Sequence, residues 1–251
     1  MWDRNKEESM RRKRQAGFSM IEMLVACAIT TIIMGAIFAQ IIQGQKFSSS
    51  QAAKLDLFQE SRQFMDQMSR DLRTAGYPNT RNFQSDPDSP AQNSPKEAVG
   101  LVKLDVGELW FESSIDGSGN VSVVHYKLVA TGTDCPCLVR SQVAKVVGDP
   151  LDPSIQGESD QTEVQSVFNG TSSDPIFKAY YADGTPVTLP IDITNNALAN
   201  INSISITLKV QSPYMDLQTR QKPTMTLLST VRLNNCSVAY PNTSGTVMGC
   251  K

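Results

Sequence analysis

The sequence predicts an α+β protein in which one long N-terminal α-helix, apolar at first and then amphipathic, packs on a mainly antiparallel β-sheet. Three observations predict it. Residues 17–39, GFSMIEMLVACAITTIIMGAIFA, form an apolar run whose single acid is Glu22. Residues 45–75 keep a helical period but confine their apolar side chains to one face. Beyond residue 97 the texture changes to short alternating runs divided by Gly, Pro, Asn and Asp.

The first 17 residues are polar and charged, lack helical periodicity, and read as a leader to be removed. From Phe18 to Ala39 the apolar segment is about 22 residues, or roughly 33 Å of helix, which is enough to cross a bilayer. Residues 18–43 are therefore expected to be a transmembrane helix and 44–78 its amphipathic continuation. In that continuation Leu55, Phe58, Met65, Met68, Leu72 and Ala75 follow steps of three and four; Arg62 interrupts the stripe and Phe64 widens it. Gly76 suits the left-handed position that ends a helix, and Tyr77-Pro78 follow it. Residues 79–97 carry three prolines and no apolar period, so they read as a linker loop. Residues 98–251 form a β-rich head with strands expected at 99–104, 108–113, 121–130, 138–147, 164–169 and 176–181. Two more are clearer. Ile204, Ile206, Leu208 and Val210 alternate with polar residues, and Met225, Leu227, Val231 and Leu233 share one face of the next run.

A net charge of −2 over 251 residues points to no particular partner, but its distribution is informative. Six basic side chains fall in the first 17 residues, four of them in Arg11-Arg12-Lys13-Arg14, which leaves 17 of the 23 basic and 22 of the 25 acidic residues beyond. By the positive-inside rule the N-terminus stays in the cytoplasm and the rest crosses the membrane. The exported part is net acidic and shows no basic-aromatic patch in the sequence, which disfavours nucleic acid as a partner.

Of five cysteines, Cys27 lies inside the apolar run; Cys135, Cys137, Cys236 and Cys250 lie on the exported side, where disulfides are expected. Four thiols allow three complete pairings. Cys236 with Cys250 is favoured because it closes a loop of about 15 residues, for which chain entropy predicts roughly 3 kcal/mol. Cys135-Pro136-Cys137 is then a tight local bridge or a pair of free thiols.

Four export signals compete for the opening stretch. A cleaved secretory signal lacks a good small-residue site near 36–40. A lipoprotein signal is represented by Leu24-Val25-Ala26-Cys27, but its apolar core would be short, would contain Glu22, and would be followed by a dozen more apolar residues. An uncleaved anchor fits the hydropathy and leaves Glu22 unexplained. The fourth reading accounts for both: a basic cluster, Gly17-Phe18-Ser19-Met20-Ile21-Glu22 and an apolar helix resemble the N-terminus of type IV prepilins and the related pseudopilins. The resemblance implies a pilin-like fold, cleavage after Gly17 by a prepilin peptidase and N-methylation of Phe18. It also implies filament incorporation through the helix. A freed amine at Phe18 is cationic at neutral pH. In a low-dielectric bundle it would pair with the Glu22 carboxylate of a neighbour and set the register of assembly.

A second resemblance lies at the end of the long helix. Arg70-Asp71-Leu72-Arg73-Thr74-Ala75-Gly76-Tyr77, with the closing Val231-Arg232-Leu233-Asn234-Asn235, resembles the minor pilins of the PilW family and, less closely, J-type pseudopilins of type II secretion. Asn234 departs from that pattern, which commonly has Arg there, and no proline kinks the helix as in many major pilins. The resemblance implies an inner-membrane, single-pass protein with a periplasmic head that later enters a pilus or pseudopilus. Its implied role is to prime assembly. Its implied partners are other minor and major pilins, the prepilin peptidase and the inner-membrane assembly platform, with no small-molecule substrate. A tip adhesin or DNA-binding head and a membrane-anchored lipoprotein are the readings from other classes.

No catalytic set or cofactor motif occurs, so no enzyme and no cofactor are expected. His125, the single histidine, reads as a structural residue. A metal site from His125, Cys135 and Cys137 does not match zinc spacing, and no metal is expected. Asp149, Asp152, Asp174 and Asp183 lie in loops without an EF-hand pattern and read as solvated turn carboxylates.

Overall fold

The expected helix is present and uninterrupted: α1 runs Met20–Thr74, straight through Gly35 and Gly44 without a break in its assignment. The computed structural model describes residues 18–78, 95–132, 135–147, 151–212, 215–216, 219–235, 237–239 and 247–249. The expected leader, 1–17, and most of the expected linker, 79–97, lie outside them, as do Cys236 and Cys250. The chain divides into two compact units, Met1–Ser48 and Ser49–Lys251. In the first, an apolar window of mean hydropathy 2.2 has none of its residues buried.

The second unit holds the core. On α1 the buried apolar side chains are Phe64, Met65, Met68 and Leu72; with Ala75, just past its end, they join one cluster with residues from the sheets. Full burial of a Leu or Met side chain is worth about 1.5–3 kcal/mol. The stripe starts later than its spacing predicts. Leu55 is 56% exposed and Phe58 36%, and the first buried apolar side chain of the stripe among the described residues is Phe64, although Ser50 and Ser61 are buried before it. At the end of α1, Gly76 has φ +80, and its N–H donates to Glu112 O at 2.9 Å. The last helical carbonyls are taken by side chains from distant segments: Ser113 Oγ donates to Thr74 O at 2.7 Å, and Asn235 Nδ2 donates to Ala75 O at 3.0 Å. These satisfy groups that every helix end leaves open.

The head contains three antiparallel sheets where the alternation alone suggested one. A six-stranded sheet has the order β5-β4-β3-β2-β1-β7, with β1 Leu101–Asp105, β2 Glu108–Ser113, β3 Ser122–Val129, β4 Cys137–Ala144, β5 Asp160–Val164 and β7 Ile191–Asp192. A three-stranded sheet has the order β6-β8-β9, with β6 Phe177–Tyr180, β8 Ser203–Gln211 and β9 Thr224–Arg232. The short pair β10 Ser237–Ala239 and β11 Val247–Gly249 makes the third. Both β8 and β9 follow the predicted alternation, and Ile204, Ile206, Leu208 and Val210 are fully buried.

The expected strand at 164–169 is in fact two pieces that serve different sheets. Residues up to Val164 belong to β5. Ser166 then adopts φ +53, a conformation that turns the chain out of a strand. Beyond it Val167 bridges Val210, and the Asn169 side chain both accepts from Lys209 N and donates to Thr207 O. The next residue, Gly170, has φ +116, and a Cβ there would run into the Leu128 side chain. The expected strand at 138–147 stops at Ala144, where Lys145 turns inward. β7, β10, β11 and a 3-10 turn at Asn196–Asn200 had no clear signal in the sequence.

Candidate functional site

The segment that opens α1 carries the residues expected to act in processing and assembly. Gly17 lies outside the described residues; Phe18 and Ser19 precede the first helical turn. Ser19 O accepts from Glu22 N at 3.0 Å and from Met23 N at 3.1 Å, so Ser19 sits as the N-cap. Glu22 reaches back, and Ser19 N donates to its Oε2 at 3.3 Å. This is half of a capping box, with the acid three residues after the cap. Among the described residues no cation pairs with Glu22. Around it Phe18 (83%), Met20 (88%), Ile21 and Leu24 stand exposed, and Ser19, Ile21, Glu22, Val25, Ala26 and Ile29 line a shallow groove. An apolar surface of this extent requires lipid or other helices to cover it. Cys27, the residue of the lipidation-like box, is an exposed free thiol two turns into the helix.

Among the described residues, three ionic clusters tie parts of the head together. In the first, Asp71 on α1 is buried and accepts from the Tyr126 hydroxyl at 2.7 Å and from Arg140 Nη2 at 2.8 Å. Burial first, and the Asp71 charge second, push the Tyr126 phenol well above its ordinary range. Asp71 is the acid of the Arg-Asp-Leu-Arg ending. Its role was not legible there, because Arg140 lies 69 residues away.

In the second cluster Lys145 Nζ meets Glu112 Oε2 at 2.7 Å with both side chains fully buried. Val99 N also donates to Glu112 Oε2, and Lys145 donates to Glu97 O. Burial without partners would be severely destabilising for either charge, so the two secure each other. No local pattern in the sequence marked this pair, because Glu112 lies in β2 and Lys145 follows β4.

The third surrounds His125, on the face of the six-stranded sheet opposite Tyr126. Its ring stacks on Trp110 at 4.8 Å, and its two nitrogens contact Glu108 at 2.8 Å and Glu158 at 2.9 Å. The hydrogen bond from His125 and then that from Lys103 lower the Glu108 carboxyl to about 2. Burial opposes the charge on Glu158, but hydrogen bonds from Lys127 and His125 outweigh it and hold the carboxyl below its ordinary range. A structural His125 was expected; its two acidic partners were not.

The metal set weighed from the sequence does not assemble. Cys135 and Cys137 are joined to each other in a disulfide, so the local bridge, and not the pair of free thiols, is formed. His125 is occupied by carboxylates. No group of three or more His, Cys, Asp and Glu able to hold a metal occurs among the described residues. Of the loop acids, Asp174 pairs with Lys209 and Asp183 accepts from Thr185 N, as turn carboxylates do; Asp149 lies outside the described residues.

Comparison with known proteins isolates the first segment. Residues 12–38 match the family model described as the prokaryotic N-terminal methylation motif. No curated protein matches the chain, and no solved structure matches it. The matched residues take in Arg12-Lys13-Arg14 of the basic cluster, the Gly17-Phe18 bond, Glu22 and most of the apolar run. The chain thus carries a methylation motif of the type IV prepilin-like kind at the head of an α+β fold.

Proposed function

We propose that the chain is a minor pilin that primes type IV pilus assembly, with residues 1–17 removed by the prepilin peptidase and Phe18 N-methylated. One observation carries the reading: the methylation-motif match over 12–38 coincides with a helix whose apolar surface is uncovered and whose single acid in the span is Glu22. Among the described residues Glu22 is satisfied by its own N-cap alone. Assembly exchanges that weak contact for the terminal amine of a neighbouring subunit, and the exchange sets register. The head stays on the periplasmic side, and its partners are other minor and major pilins and the assembly platform.

The ending Arg70-Asp71-Leu72-Arg73 supports the PilW-like assignment and also suits a J-type pseudopilin at the tip of a type II secretion pseudopilus. Gene neighbourhood separates the two. For the cysteines, we propose a Cys236–Cys250 bridge. Supporting it, β10 and β11 pair Ser237 with Gly249, the residue next to each cysteine. Non-reducing peptide mapping that finds either thiol free removes that bridge.

Intact-mass measurement of the mature protein tests the main reading. A chain beginning at methylated Phe18 is expected. A diacylated N-terminus at Cys27, or an uncut leader in cells with an active peptidase, overturns it.

A further inference from the structure

The contacts of His125 place a constraint on its proton count. A neutral imidazole has one N–H; it donates to one carboxylate and turns a lone pair towards the other. Here both ring nitrogens face carboxylate oxygens within hydrogen-bond distance. Glu108 keeps its charge down to about 2, and Glu158 is also held below its usual range. Both are therefore anions near neutral pH, and only the imidazolium donates to both.

The charges around the ring lead to the same requirement. Among the described residues the cluster contains Glu108 from β2 with Lys103 from β1, Lys127 from β3, Glu158 from the stretch before β5, and Asp160 from β5. With Asp105, opposite Glu108 on β1, the acids outnumber the two lysines, and a charged ring reduces that excess. The His125 side chain is 6% exposed, so an imbalance there is poorly screened.

The two carboxylates are not equally anchored. Glu108 lies inside a ladder, opposite Lys127 on one side and Asp105 on the other. Glu158 lies between Gly157, at φ +77, and the first residue of β5, in backbone that joins no sheet. Ser159 N donates to Ser141 Oγ at 2.7 Å and Asp160 pairs with Lys127 at 2.8 Å, while Glu158 is tied by its contacts to His125 and Lys127.

We propose that the Glu108–His125–Glu158 bridge is a proton-dependent clasp: the charged ring holds residues 157–160 against the six-stranded sheet, and the neutral ring keeps Glu108 and lets Glu158 go. β5 is the outermost strand of that sheet, so the clasp controls how firmly its edge is set. The sign follows from proton linkage. The closed form binds the ring proton, so closure is favoured at lower pH and lost once the ring gives that proton up.

The test uses the full-length protein in detergent micelles. Because the chain has one histidine, its ring resonances are unambiguous, and the ring is titrated by NMR while hydrogen exchange is followed at 157–164. After correction for intrinsic rates, exchange at 157–160 is expected to rise at least roughly threefold in step with loss of the ring proton. His125→Gln and the more exposed change Glu158→Gln should each abolish that step and leave exchange fast throughout. Exchange that ignores the ring's titration, or a step that survives in Glu158→Gln, overturns the clasp. If His125→Gln does not fold, Glu158→Gln decides alone.

Discussion

The two halves of α1 are one helix under two different solvents. Before Ser48 the apolar side chains point in every direction and none of the apolar window is buried. Beyond Ser61 the apolar side chains are fewer but point one way, and Met68 and Leu72 are completely buried. The difference teaches where each half finds its partner. A one-sided stripe is covered by its own chain, whereas an all-round apolar surface needs cover from outside. Charge follows the same division. Asp71, on the covered half, has Arg140 and Tyr126 within the same molecule, while Glu22, on the uncovered half, has among the described residues only its own cap.

The sharpest way to break this comparison is Glu22→Ala. The variant is expected to insert and be cleaved normally, yet to be absent from sheared filaments on immunoblots; normal incorporation would show that the uncovered half needs no ionic partner. Next in size is Asp71→Ala, which strands Arg140 in a nearly buried position and should cost roughly 3–5 kcal/mol of head stability by denaturant titration. Leu72→Ala should cost about 3 kcal/mol through its cavity, whereas Leu55→Ala should change stability by under about 0.5 kcal/mol. Equal losses for the two leucines would refute the late start of the buried apolar stripe.

A smaller effect is expected from acid. The folded carboxyl of Glu108 titrates at about 2, below its unfolded value near 4.5, so its contribution to stability is complete above that value and disappears as pH falls through about 2. Acid unfolding of Glu108→Gln should therefore be flatter between those limits than that of the parent. A curve of unchanged slope would remove Glu108 from the ionic network of the head.

Much of the candidate site was readable without coordinates because its signals are contiguous. The basic cluster, the Gly17-Phe18 bond, Glu22 and the apolar run sit within a single stretch, and the stop at Gly76 needs only a residue free to take φ +80. The strands with strict alternation, β8 and β9, were readable for the same local reason. The stripe misled at Leu55 and Phe58, since periodicity tells which residues share a face but not how far the neighbouring sheet extends. The stretch 164–169 misled because one β-like run serves two sheets.

Composition and local pattern by themselves determined that a long helix leads, that its first half demands an apolar surrounding, and that a β-rich head follows. Tertiary structure alone decided how that head is divided and tied together. Asp71 finds Arg140 across 69 residues, Glu112 and Lys145 are buried as a pair, and one histidine spans two acids. The physical reason is range. Helix period, turn chemistry and hydropathy act between near neighbours in the chain, whereas a buried charge is tolerable only beside a partner that the completed fold brings to it.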